Sequence, residues 1–102
     1  MKAKEFSEAV SCYSKAIDLN PKEAASYSNR AMAYLKMKNY ANVIDDANKA
    51  IELEKDYVKA YHRRGKAFFA CKRWADAIKD FQFILEKNPG DQDINQSLKE
   101  AR

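Results

Sequence analysis

Apolar and small residues recur along this chain at spacings of three, four and seven, the pattern of helix faces rather than strands. Phe6, Ala9, Tyr13 and Ile17 share a stripe at i, i+3, i+7 and i+11. Tyr40, Val43, Ala47 and Ile51 repeat that stripe, and Trp74, Ala77, Phe81 and Leu85 repeat it again. Between them, Tyr27 with Tyr34 and Tyr61 with Phe68 mark the packing faces of two further helices. The spacing predicts helices from about Glu5 to Leu19, Glu23 to Met37, Tyr40 to Leu53, Tyr57 to Cys71 and Trp74 to Lys87. Pro89-Gly90 interrupts the pattern, and Asp91 is the expected N-cap of a last helix reaching about Ala101. Two glycines and two prolines are too few for the turns of a sheet protein.

The stripes recur with a period of 34 residues: Tyr27 falls on Tyr61, Arg30 on Arg64, Ala33 on Ala67 and Tyr34 on Phe68. Asn20-Pro21 and Asn88-Pro89 stand two periods apart, with Glu54-Lys55 between them. The third copy reads Tyr61-x2-Arg64-Gly65-x2-Phe68…Ala77-x3-Phe81…Pro89, and the second Tyr27-x2-Arg30-Ala31-x2-Tyr34…Val43-x3-Ala47. Only the second half of the first copy is present, Phe6…Ala9-x3-Tyr13…Pro21. In period and motif the chain resembles the tetratricopeptide repeat over nearly its whole length. That resemblance implies an all-α fold of about six helices, antiparallel helix-turn-helix units stacked as a right-handed solenoid. Small residues at Ala9, Ala31, Gly65 and Ala77 would let paired helices approach closely, with the small Ala47 offsetting the larger Val43.

The register divides the chain into the second half of repeat one (1–23), repeat two (24–57), repeat three (58–91) and a capping helix (92–102). The first helix of repeat one would end near Met1. A truncated or chimeric chain, a fragment, and a gap filled by another molecule all fit, and truncation is favoured. An uncovered edge would invite a homodimer or helix exchange, with the chain acting as a self-associating scaffold.

Net charge is +4, and its distribution matters more than its size. Lys59, Arg63, Arg64, Lys66, Lys72 and Arg73 lie in a stretch without an acid. On the first helix of repeat three, Lys59, Arg63, Lys66 and Ala70 share one stripe; its counterpart in repeat two is Ala25, Asn29, Met32 and Lys36. First helices line the concave face of such solenoids. Asn29, Lys59 and Arg63 therefore converge as an anion site: an amide donor, a compact cation and a planar fork suited to a carboxylate. Lys66, Met32 and Lys36 are further groove candidates, Met32 as a plastic apolar contact. This set resembles the two-carboxylate clamp of co-chaperones, which holds the Glu-Glu-Val-Asp terminus of the seventy- and ninety-kilodalton heat-shock chaperones. The resemblance places Asn29 at the clamp's repeat-two Asn and Lys59 and Arg63 at its repeat-three Lys and Arg. The clamp's repeat-one Lys and Asn belong on the helix that would precede Met1.

The remaining residues are expected to be structural. Arg30 and Arg64 should cover apolar surface with their stems while their heads reach water. His62 should sit at a boundary, Trp74 and Phe81 in the core, and Cys12 and Cys71 as reduced packing residues. Asp45 and Asp46 should both be exposed, with Asp45 facing Lys49. No phosphate loop, metal-ligand spacing or nucleophile arrangement occurs in the sequence. The expectation is a cytoplasmic protein-interaction module, not an enzyme, with no cofactor, no nucleic acid and no membrane partner.

Overall fold

The computed structural model describes residues 3–102. Six helices follow in order: α1 (Ala3–Leu19), α2 (Ala24–Lys36), α3 (Tyr40–Leu53), α4 (Val58–Ala70), α5 (Trp74–Lys87) and α6 (Gln92–Ala101). No strand occurs among the described residues. Each helix packs on the next, and α2 also touches α4 directly, so α2 and α4 stand side by side in one layer. The helix expected to end near Met1 lies outside the described residues.

The period is visible in the turns. At the end of α2, Lys38 takes φ 61°, and its N–H donates to Leu35 O at 3.0 Å while Asn39 N–H donates to Tyr34 O at 2.9 Å. At the end of α4, Lys72 takes φ 63°, Lys72 N–H donates to Phe69 O at 3.0 Å and Arg73 N–H to Phe68 O at 2.8 Å. Both ends are left-handed caps of the kind glycine usually fills, here made by lysine. The turns between hairpins repeat as well. Tyr27 Oη donates to Pro21 O and Tyr61 Oη to Lys55 O, each at 3.2 Å, and Asn95 Nδ2 donates to Pro89 O at 3.3 Å. Helix α6 thus sits in repeat register, as the first helix of a further unit. Asp91 caps it as expected, accepting from Ile94 N–H at 3.1 Å.

Three apolar clusters form the core. Ile17, Tyr27, Ala47 and Ala60 belong to one, and Ala31, Val43 and Ala67 to a second. Phe68, Ala77, Phe81, Ile84, Ile94 and Leu98 make the third, in which α6 covers repeat three. Gly65 is the close-approach position of that third cluster. A Cβ there would lie 2.7 Å from Phe81 Cε1 and 3.2 Å from Asp80 Cβ.

Four expectations are corrected. Trp74 is 41% exposed: it begins α5 at the edge of the layer, edge-on to Phe69 at 5.2 Å, and so covers the core from outside. Cys12 and Cys71 are exposed rather than packed. Lys49 approaches Glu52 at 4.0 Å, not Asp45. The fourth concerns Arg30, Arg64 and Asp46. The Arg30 guanidinium binds Asp46 through Nε at 2.8 Å and Nη2 at 2.7 Å, and reaches Ser14 Oγ at 3.0 Å. One period later, Arg64 binds Asp80 at 2.9 and 2.7 Å and reaches Asn48 Oδ1 at 2.8 Å. Asp46 is therefore buried, and neither arginine head is given over to water. Each arginine also lies over two ring faces of its own helix, Tyr27 and Tyr34 for Arg30, Tyr61 and Phe68 for Arg64. The result is a staple that joins three helices: an Arg on α2 or α4, an Asp on the helix after it, and a polar residue on the helix before it.

Candidate peptide-binding groove

The groove stripe of α2 and α4 owes its direction to the opposite stripe, where Tyr27, Ala31, Ala67 and Phe68 are buried in the core. Asn29 is half-buried on α2. Lys59 is exposed and Arg63 half-buried, one turn apart on α4. The helices that carry them, α2 and α4, pack directly on one another, and no hydrogen bond joins Asn29 to either cation. Met32 is half-buried further along α2, and Lys36 is exposed in its last turn.

The cations of repeats two and three are used differently. Arg30, Arg64 and Arg73 each hold an aspartate: Asp46, Asp80 and Asp76. Among the described residues no carboxylate pairs with Lys59 or Arg63. Arg63 Nε is enclosed and donates to nothing. The nearest side-chain partner of its guanidinium is His62, whose Nδ1 lies 3.5 Å from Arg63 Nη1. Burial holds the Arg63 guanidinium below its ordinary range, with Tyr57 pulling slightly the other way. Enclosed donors are nearly always bonded in folded proteins, and leaving one unmade costs on the order of 1–3 kcal/mol. A desolvated cation with a spare donor is what an anion site needs before its anion arrives.

Lys66 is set apart from that site. Its Nζ donates to Ser97 Oγ at 2.8 Å and to Asp93 Oδ1 at 3.2 Å, so it ties α4 to α6. Asp93 and Ser97 stand 34 residues after Lys59 and Arg63, at the same stripe positions of α6. The groove therefore turns from basic to acidic as it passes from α4 to α6. His62 faces Asp93 as well, with Nε2 at 3.5 Å from Oδ2. The sequence predicts a boundary place for His62; its pairing with Asp93, in the first turn of α6, follows from tertiary packing and not from the repeat register.

Among the described residues no cluster of three or more His, Cys, Asp or Glu could hold a metal ion, and no helix is long and apolar enough to cross a membrane.

Comparison with known proteins decides the family. A TPR-repeat model matches residues 1–38 and a tetratricopeptide-repeat model residues 24–57. The first TPR of Spaghetti (RPAP3), bound to the HSP90 peptide SRMEEVD, superposes with a TM-score of 0.93 at 36% identity, covering 96% of this chain and 78% of that one. This chain is a member of the tetratricopeptide-repeat family. The Arabidopsis OM64 TPR domain superposes with a TM-score of 0.94 at 35% identity, covering 97% of this chain and 82% of that one. The second TPR domain of human RPAP3, in complex with the HSP70 peptide SGPTIEEVD, gives 0.89 at 33% identity, covering 96% and 82%. Human serine/threonine-protein phosphatase 5 is 51% identical over 35 residues, which is 34% of this chain and 7% of the phosphatase. Solenoids of stacked helical repeats expose an extended concave surface, and first helices such as α2 and α4 line it.

Proposed function

We propose that this domain binds the acidic C-terminal tails of heat-shock chaperones of the seventy- and ninety-kilodalton classes, gripping carboxylates with Asn29, Lys59 and Arg63. The observation that carries the proposal is Arg63, a half-buried cation with an enclosed, unbonded Nε, beside an unpaired Lys59. Support comes from the relatives that were captured with peptides ending in Glu-Glu-Val-Asp. Met32 and Lys36 extend the same surface for residues upstream of the terminus.

Calorimetric titration with an acidic peptide ending in Asp, beside its C-terminal amide, tests the assignment. The free acid should bind at least ~10-fold more tightly, the value of one charge-assisted contact. Lys59→Ala and Arg63→Ala should each weaken it by a similar factor. Equal affinity for acid and amide rejects the reading.

A second reading rests on α1. Among its described residues Ile17 is the one buried apolar side chain, and Ala9 is half-exposed where its counterparts Val43 and Ala77 are fully buried. That face suits a second copy of the chain, which could associate through it without any chaperone tail. Sedimentation of a strict monomer at high concentration removes this alternative.

A further inference from the structure

Between α4 and α6 lies a short polar chain that links Arg63 of the proposed carboxylate site to two residues which that reading does not use. Its members are Arg63, His62 and Asp93. Arg63 Nη1 stands 3.5 Å from His62 Nδ1, and His62 Nε2 stands 3.5 Å from Asp93 Oδ2. Both gaps are long, and both ends are chemically one-sided. A guanidinium only donates, and an ionised carboxylate only accepts. The single imidazole form that satisfies both is neutral, with its proton on Nε2 toward Asp93 and a lone pair on Nδ1 toward Arg63.

We infer that His62, as this neutral tautomer, is a positioning residue for Arg63, and that protonating it releases the guanidinium and weakens carboxylate binding. The inference rests on the carboxylate-binding function proposed above. An added proton on Nδ1 replaces the acceptor that Arg63 needs with a second donor. The groups facing His62 are Arg63 and Lys66 from α4 and Asp93 and Asp91 from α6. Burial, then Arg63 and Lys66, hold the imidazole below its ordinary range, against the opposite pull of Asp93 and Asp91. The neutral form therefore prevails at neutral pH. Lys66 keeps Asp93 in place and ionised: its hydrogen bond to Asp93 Oδ1 at 3.2 Å draws that carboxyl below the ordinary range. His62 is the only histidine of the chain, and imidazole is the side chain whose ordinary titration falls between about pH 5 and 7.

The test compares three proteins, wild type, His62→Gln and His62→Leu, titrated with the Asp-terminated peptide and its amide at pH 7.5, 6.5 and 5.5. Gln can accept from Arg63 and donate to Asp93, and it does not titrate in this range. Wild type should lose about 5- to 10-fold in affinity for the free acid on acidification, the scale of one hydrogen bond made or lost. His62→Gln should keep most of the pH 7.5 affinity and a flat profile. His62→Leu should bind weakly and with little pH dependence. A titration that separates acid from amide, yet gives the same pH profile in wild type and His62→Gln, overturns the inference and leaves the carboxylate reading standing. No separation of acid from amide in wild type takes down both. Nitrogen NMR of the imidazole decides without any peptide: a proton on Nε2 at pH 7.5 supports the relay, and a proton on Nδ1 overturns it.

Discussion

Repeats two and three share a backbone frame and fill it in opposite ways. Where Gly65 meets Phe81 in repeat three, repeat two carries Ala31 and Ala47. All of these are buried, and the ring of Phe81 stands where a methyl group at Gly65 would meet it. On the groove stripe, Asn29 of repeat two is answered by Arg63 of repeat three. The two positions of such a pair are thus filled together rather than independently, and charge on the groove stripe is concentrated in one repeat. The frame itself is fixed by what the repeats have in common: the arginine–aspartate staples and the lysine caps.

Phe81→Ala should break the comparison most. Phe81 is fully buried, and emptying its site should cost about 4 kcal/mol, read as a lower urea midpoint. The staples should come next. Asp80→Ala leaves Arg64 without its carboxylate and Asp46→Ala does the same to Arg30. With arginine heads about one-fifth exposed, each change should cost ~2–3 kcal/mol. Similar losses in both repeats would show that the staple belongs to the frame; a loss in one alone would show that it does not.

Gly65→Ala should follow, at about 1–2 kcal/mol, because the new methyl group meets an enclosed ring that cannot move aside. In the Phe81→Ala background the same change should be neutral or stabilising, since it recreates the Ala31 and Ala47 pair. Additive losses in that double-mutant cycle would refute compensation by pairs. Lys38→Gly and Lys72→Gly should each stabilise by ~0.5–1 kcal/mol, equally in the two repeats, because both residues hold positive φ. Smallest is a pH effect confined to repeat three. The His62 imidazole is held below its ordinary range, so its contribution is complete above the unfolded-state value and is lost as pH falls through the folded one. His62→Ser, which copies Ser28 of repeat two, should flatten that acid limb of the stability profile.

The period was legible because aromatic and small residues recur in fixed columns, and the columns set the helix ends to within a residue or two. Asn29, Lys59 and Arg63 could be placed by the same register. The staples were not seen, although Arg30 and Arg64 recur as regularly as Asp46 and Asp80. A lone arginine or aspartate favours water; only the pair, 16 residues apart across two helices, makes burial tolerable. Trp74 was misplaced for a related reason, since its column marks the first turn of a helix, where the layer ends. The part played by His62 depends on Asp93, 31 residues downstream, and such a pairing is set by tertiary packing alone.

The staple also has an end. Leu98 of α6 occupies the register of Arg30 and Arg64, so no arginine there reaches back to Gln82, the counterpart of Ser14 and Asn48. Helix α6 is held instead by Ile94 and Leu98 in the core and by the Lys66 bonds to Asp93 and Ser97. Amide hydrogens of α6 should therefore exchange through local opening before those of α3 and α4, which staples fix on either side. Each such opening would carry Asp93 away from His62, so a slowly exchanging helix and a more readily opening one are neighbours across a single imidazole ring.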